Sequence, residues 1–166
     1  METSADNLRM VNGQIKPING VTEKLVSIFK SLNRAGFMPE EFKHSSYVEK
    51  NFVLSNHRVI LKPELVAKIA MYIDLKENEN VLILGSTTGY LTAILSLIAE
   101  TVIVVEESDI YMKSSEQAIK ENNLNNVIYI NKSISNGCTE QSPFNAIIIE
   151  GAVDHVPQKL LNQLEN

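Results

Sequence analysis

The chain has no tryptophan and a single cysteine, Cys138. One thiol cannot close an intrachain disulfide, which excludes a disulfide-stapled scaffold and fits a reducing compartment. No histidine or basic cluster lies near Cys138 in sequence, so it reads as a small loop hydrophobe rather than a nucleophile. Long hydrophobic runs are missing too. The most apolar stretch, Tyr90 to Ala99, is interrupted by Thr92 and Ser96 and is too short to cross a bilayer. The amino terminus, Met1 to Asp6, lacks a basic then apolar leader, so no signal peptide is visible and a cytoplasmic location is expected. The three histidines, His44, His57 and His155, are scattered; neither a metal cluster nor a Ser-His-Asp set can be drawn from them. No repeat or low-complexity segment appears.

What is present is ordinary globular material. The 166 residues are 44% apolar and 21% charged, enough for one domain with a real core and unlike a disordered chain. Charge is divided unevenly: residues 1–70 carry a net +3 and residues 71–166 a net −8, which together give the −5 of the whole. An acidic carboxyl half argues against binding nucleic-acid phosphates as the main task.

The stretch from Asn80 to Glu106 organises the rest. An unbroken apolar run, Val81 to Leu84, stops at Gly85, and after Ser86-Thr87-Thr88 a second glycine, Gly89, leads into a helix-length segment. A second apolar run, Thr101 to Val105, ends on Glu106, 21 positions after Gly85. This is how a buried parallel strand hands over to its crossover helix. In nucleotide-type folds the glycine turn admits a ligand to the backbone, and an acid about 20 residues on accepts hydrogen bonds from ribose hydroxyls. The pattern predicts an adenosyl-type pocket. Thr87 stands where G-x-G-x-x-G has its middle glycine, and a Cβ there can block close approach. The competing reading is that both glycines serve only a turn in a unit that binds nothing.

In chain order, Ser4 or Thr3 caps a first helix to about Asn12 with Leu8 and Val11 apolar, and Thr22 caps a second, ended by Gly36. Pro39 opens a short third helix, and Asn51 to Leu54 and Arg58 to Leu61 are candidate short strands in an irregular segment suited to a substrate loop. Pro63 opens a fourth helix with Leu65, Val66, Ile69, Ala70 and Ile73 inward. Ser108 caps a fifth, with Ile110, Ala118 and Ile119 inward. Strands follow at Val127 to Ile130 and Asn145 to Ile149, and a last helix begins at Pro157 with Leu160, Leu161 and Leu164 apolar. Alternating helices and unbroken Val/Ile strands imply an α/β fold with a parallel sheet covered on both faces.

Several segments carry a family resemblance: Met10-Val-Asn-Gly-Gln-Ile-Lys-Pro17, Gly20-Val-Thr22, Phe37-Met-Pro-Glu40, Val81 to Tyr90, and Pro143-Phe-Asn-Ala-Ile-Ile-Ile-Glu-Gly-Ala152. They resemble protein-L-isoaspartate O-methyltransferases from about Arg9 to Leu164, and Arg58 to Pro63 with Ile149 to Val153 resembles a divergent bacterial paralogous branch. The resemblance implies a Rossmann-like class I methyltransferase sheet in the order 3-2-1-4. It also implies S-adenosylmethionine as cofactor and a protein or peptide bearing isoaspartyl residues as substrate. Residues 1–62 would form an amino-terminal helical and substrate-loop extension, and 63–166 the cofactor core. Gly85, Ser86, Thr87 and Gly89 match the cofactor loop, Glu106 the ribose acid, and Asn131 to Ser133, Ser133 included, the region beside the adenine.

The departures are specific. Ile83 replaces the acid that usually begins the loop, and Asn131-Lys132-Ser133 replaces Gly-Asp-Gly. In the substrate loop, aligned as His57 to Pro63, Val59 and Leu61 replace two hydroxyls that hold the substrate carboxylate. Arg58 or Lys62 would have to substitute, with Tyr47, Arg58 and Leu61 as the substrate-side residues; the alternative is that both cations merely face solvent. The family continues with further strands where this sequence stops at Asn166, as a shortened gene or an incomplete piece would. The fourth strand would then be an unpaired apolar edge inviting self-association. The rival functional readings are a non-catalytic module that binds a partner protein or senses the cofactor, and, less well matched, a nicotinamide-binding oxidoreductase.

Overall fold

The computed structural model describes Ser4–Leu54 and His57–Glu165. Contacts divide the chain into two compact units, residues 1–74 and 75–166.

In the first unit, Ser4 caps helix α1 (Ala5–Met10) by accepting the Asn7 N–H at 3.1 Å. The helix does not stop near Asn12. It continues as a π-turn over Val11–Ile15, closed by a bond from the Lys16 N–H to the Val11 carbonyl at 2.9 Å. The buried stripe is Met10, Val11 and Ile15, while Leu8 is 37% exposed, because the wider turn shifts the inward face. Thr22 caps α2 (Glu23–Ser31) through the Leu25 N–H at 3.2 Å. This helix ends at Ser31, five residues before Gly36, which sits inside a separate 3-10 turn, Arg34–Phe37. The turn after Pro39 is also 3-10, Glu40–Ser45.

Two short strands, β1 (Phe52–Val53) and β2 (Val59–Ile60), pair antiparallel, and Pro63 opens α3 (Pro63–Ile73). The fully buried face of α3 is Val66, Ala67 and Ala70; Leu65, Ile69 and Ile73 are only half-buried.

The second unit is a four-stranded parallel sheet made of β3 (Asn80–Leu84), β4 (Thr101–Glu106), β5 (Val127–Asn131) and β6 (Ala146–Ile149) in the order β5-β4-β3-β6. That is the 3-2-1-4 order in the numbering of this sheet alone. The two central strands are buried on both faces beyond their first residues, which is why their sequences are unbroken Val, Ile and Leu. Alternate residues Leu82, Leu84, Ile103 and Val105 pack one face against Cys138, Phe144 and Leu160. Cys138 is therefore a core hydrophobe, and burial pushes its thiol pKa up. Helix α4 (Tyr90–Ser96) is buried at all seven positions. On α5 (Asp109–Glu121), Ser115, Ala118 and Ile119 face inward, whereas Ile110 is 78% exposed, since it lies in the first turn off the packed stripe.

The sheet edge beyond β6 is not wholly bare. Gln163 to Glu165, after α6 (Gln158–Leu161), lie alongside Phe144, with Phe144 N–H donating to Gln163 C=O and Glu165 N–H to Phe144 C=O, both at 2.8 Å. No strand pairs with the outer side of Ala146–Ile149 among the described residues. Gln163 anchors this tail: its Oε1 accepts the buried Cys138 N–H at 2.7 Å and its Nε2 donates to the Asn136 carbonyl at 2.9 Å.

Removing that amide leaves a buried backbone N–H without its partner. Gln163→Ala should cost about 1–3 kcal/mol, a fall in Tm of roughly 3–10 °C at this chain length. An unchanged melting curve would show that the tail does not brace the loop.

Candidate functional site

The site is built where β3 turns into α4. Gly85 has φ +83 and Gly89 φ +84, a left-handed backbone that L side chains rarely adopt, so both corner positions require glycine on conformational grounds. Gly89 has a second reason. A Cβ there would lie 2.6 Å from Ser115 Oγ and 3.2 Å from the Ser115 carbonyl oxygen, so α5 can approach the corner only because that atom is missing.

Between the two glycines, every residue is buried, and the hydroxyls of Ser86 and Thr87 are hydrogen-bonded. Ser86 Oγ is hydrogen-bonded to Thr92 Oγ1 at 2.8 Å and to Ser115 Oγ at 3.0 Å, and Ser115 Oγ in turn to the Tyr129 hydroxyl at 2.5 Å. Burial raises the Tyr129 pKa, so the phenol stays protonated and the chain of hydroxyls stays intact. Thr87 is fully buried, and its hydroxyl donates to Glu150 Oε1 at 3.2 Å. Its side chain is thus turned towards the end of β6.

The corner lies between two acids. Gly85 N–H donates to the Val105 carbonyl at 2.9 Å, and Glu150 N–H donates to the Leu84 carbonyl at 3.0 Å, so the ladders on both sides of β3 run on to this level. Leu84 is in register with Val105 and with Ile149. Extending that register by one residue puts Glu106, Gly85 and Glu150 in one row across β4, β3 and β6, where neighbours are about 4.8 Å apart and share a face. Glu106 is completely buried and accepts the Ser108 N–H at 2.8 Å. A carboxylate on each side of a glycine corner, in a half of the chain with net charge −8, fits a ligand that offers hydroxyl donors at one end and a cation at the other. An adenosyl sulfonium amino acid has that donor set.

Of the residues expected at the pocket, Gly85, Ser86, Thr87, Gly89 and Glu106 are brought together. Ser133 is exposed in the loop after β5, its hydroxyl 3.1 Å from that of Ser135. Ser115 and Glu150 are the residues that sequence reasoning left out. Glu150 was visible as the acid closing a strand; Ser115 carries no sequence signal.

The substrate-side candidates lie in the first unit and are gathered by a residue the sequence did not single out. Arg34 is fully buried, donating from Nε to the Ser46 carbonyl at 2.8 Å and from Nη2 to the Leu61 carbonyl at 2.7 Å. One guanidinium thereby fixes the segment beside Tyr47 and the loop holding Arg58 and Leu61. Tyr47 is half-buried, its hydroxyl donating to Asn33 Oδ1 at 2.6 Å and lying 2.9 Å from Ser4 Oγ. Lys62 is paired with Glu49 at 3.0 Å and Glu64 at 2.9 Å, with its side chain still 35% exposed. Among the described residues no cluster of three or more His, Cys, Asp or Glu could hold a metal ion.

A family model described as protein-L-isoaspartate(D-aspartate) O-methyltransferase matches residues 7–166. The chain belongs to this family. A protein-L-isoaspartate O-methyltransferase of Proteus mirabilis is 30% identical over 142 residues, 86% of this chain and 68% of that one. Its counterpart in Fervidobacterium nodosum is 26% identical over 150 residues, 89% of this chain and 75% of that one. Among solved structures, a protein-L-isoaspartate O-methyltransferase superposes with a TM-score of 0.83 at 23% identity over 95% of this chain, which spans only 51% of that chain. A Plasmodium falciparum protein described as belonging to the same class, in complex with S-adenosyl-L-homocysteine, gives 0.80 at 18% identity over 98% of this chain and 81% of its own. Both superpositions show the fold. The family uses S-adenosylmethionine and acts on protein isoaspartyl residues.

Two outcomes follow from the geometry. Gly89→Ala should lower Tm by roughly 5–15 °C, combining left-handed strain of about 1–2 kcal/mol with the Ser115 clash. Ser115→Ala in the same chain should recover only part of it. A change below about 2 °C would show that α5 can simply move away. Glu64 behaves differently. Its hydrogen bond from Lys68, then that from Lys62, holds its carboxyl at about 2 against an ordinary 4.5. The folded carboxyl binds its proton less readily than the unfolded one, so the network stabilises above 4.5 and that contribution is lost as pH falls towards 2. Glu64→Gln should flatten the acid limb of Tm over that window and, the pair being exposed, move Tm at pH 7 by at most a few degrees; an acid limb as steep as the parent's would remove this assignment.

Proposed function

We propose that the chain is an S-adenosylmethionine-dependent methyltransferase that esterifies the carboxylate of isoaspartyl residues in proteins or peptides. The observation that carries this is the row Glu106, Gly85, Glu150: two carboxylates flanking a glycine corner at the carboxyl end of a parallel sheet. In this reading Gly85, Ser86, Thr87 and Gly89 line the cofactor, Glu106 accepts hydrogen bonds from its ribose hydroxyls, and Ser133 stands at the adenine end. When bound, S-adenosylmethionine supplies an electrophilic methyl group on a sulfonium. The protein's task is then to align a nucleophilic carboxylate and exclude water. Residues 1–62 supply the substrate side and 63–166 the cofactor core. Val59 and Leu61 offer no side-chain hydrogen-bond donor, and on the substrate side this reading keeps Arg58, whose guanidinium suits bidentate recognition of a carboxylate, with Tyr47 and Leu61.

A cytoplasmic location is part of the proposal. It is supported by the lone buried cysteine, and no helix among the described residues is long and apolar enough to cross a membrane.

Titration calorimetry with S-adenosylmethionine should give saturable binding, weakened at least tenfold by Glu106→Ala, a loss of about 1.4 kcal/mol or more. Labelled methyl should then appear on an isoaspartyl peptide and not on its aspartyl counterpart. Binding without incorporation would leave a cofactor-sensing module, and no binding would remove the enzyme reading altogether.

A further inference from the structure

Four hydroxyls meet at the glycine corner, each from a different element. Thr92 on α4, Ser86 in the turn, Ser115 on α5 and Tyr129 on β5 are joined in that order by bonds of 2.8, 3.0 and 2.5 Å. Each hydroxyl has one proton to donate, so three bonds use three protons and one hydroxyl holds the proton left over. Thr92, Ser86 and Ser115 are fully buried, and the side chain of none has a further hydrogen-bond partner among the described residues. A spare proton on any of these three would be a buried donor with nothing to bond, which costs more than a made bond gains. Tyr129 alone is only half-buried. The chain therefore runs one way: Thr92 donates to Ser86, Ser86 to Ser115 and Ser115 to Tyr129, whose own proton turns away. We propose that Tyr129, on the edge strand β5, is a positioning residue for the cofactor loop: its phenol oxygen is the acceptor that ends this directed chain and so holds Ser86 in place. The inference rests on the adenosyl-pocket reading above.

The turn needs such a hold. It has a left-handed glycine at each end, φ +83 and +84, and glycine leaves the backbone free to move. Side-chain bonds from the residues between them then decide where the turn rests. Thr87 is tied on one side, to Glu150, and Ser86 on the other, to Ser115. The Ser115 hydroxyl also lies 2.6 Å from where a Gly89 Cβ would be, so the group that passes the bond on to Tyr129 is the one packed against the second glycine. Tyr129 itself stands outside the turn, in register with Val104 and through it with Ile83. Without the phenol oxygen the Ser115 proton has no acceptor; Ser115 turns to find one, and Ser86 loses its own. A cradle already fixed binds its ligand without the entropy cost of ordering the loop, so Tyr129 acts on affinity through Ser115 and Ser86.

The test is a double-mutant cycle of wild type, Tyr129→Phe, Ser86→Ala and the double variant. Each is read by calorimetric titration with S-adenosylhomocysteine and by amide hydrogen exchange of residues 86–89 in the ligand-free chain. Tyr129→Phe should weaken binding and speed exchange, each by about fivefold or more. In the Ser86→Ala chain, where the link is already cut, the same substitution should change either by less than about twofold, a non-additivity that two side chains not bonded to each other show only when they act through one chain. Equal effects in the two backgrounds, or no effect of Tyr129→Phe, overturn the inference while leaving the adenosyl pocket standing. If wild type does not bind the ligand, the pocket reading fails separately and the exchange rates alone judge Tyr129. Should Tyr129→Phe not fold, wild type decides: the Ser86 and Ser115 hydroxyl protons should be slow enough to observe by NMR, and protons exchanging too fast to be seen overturn the chain.

Discussion

The glycine corner of the second unit depends on the approach of α5 to the turn between β3 and α4. Ser115 comes so near Gly89 that a single methyl group has no room. That approach brings the Ser115 hydroxyl within reach of Ser86, linking the loop to α4 through Thr92 and to β5 through Tyr129. On the other side of the loop, the Thr87 hydroxyl donates to Glu150. A loop poor in glycine is thus held by hydroxyl–hydroxyl and hydroxyl–carboxylate bonds, each satisfied in a buried setting where an unmade bond would cost more than a made one gains.

Ile83 keeps β3 apolar along its buried length. One strand away, at the end of β6, Glu150 accepts the Thr87 hydroxyl at 3.2 Å, so the loop is tied to the strand on that side. Glu106, Gly85 and Glu150 come from different positions in the chain and are aligned by the register of β4, β3 and β6.

The first unit shows a parallel logic. Its irregular segment from His44 to Lys62 has little regular structure of its own, and Arg34 compensates from inside. Asn7 accepts the Arg34 N–H at 3.2 Å and donates to the Phe29 carbonyl at 3.1 Å, so α1 and α2 lock the backbone from which the guanidinium reaches Ser46 and Leu61. A buried charge with several carbonyl partners over-determines the loop, which a few apolar contacts alone would leave adjustable.

The sequence by itself determined the parallel sheet, its strand order through the family resemblance, the helix caps at Ser4, Thr22 and Ser108, and the corner glycines, because these depend on local periodicity and on backbone angles that only particular residues tolerate. Boundaries drifted where tertiary packing overrode local signals. The first helix widened into a π-turn rather than ending, Gly36 fell outside the helix it was expected to close, and Ile110 stayed in solvent despite its apolar side chain. Only the tertiary structure decided that Glu150 joins Glu106 around Gly85, that Ser115 seals Gly89, that Lys62 is occupied by two glutamates, and that Gln163 draws the end of the chain onto the sheet edge. Those partners lie between 2 and 65 residues apart. Their meeting is set by strand register and helix packing, and neither is written in the spacing of any one segment.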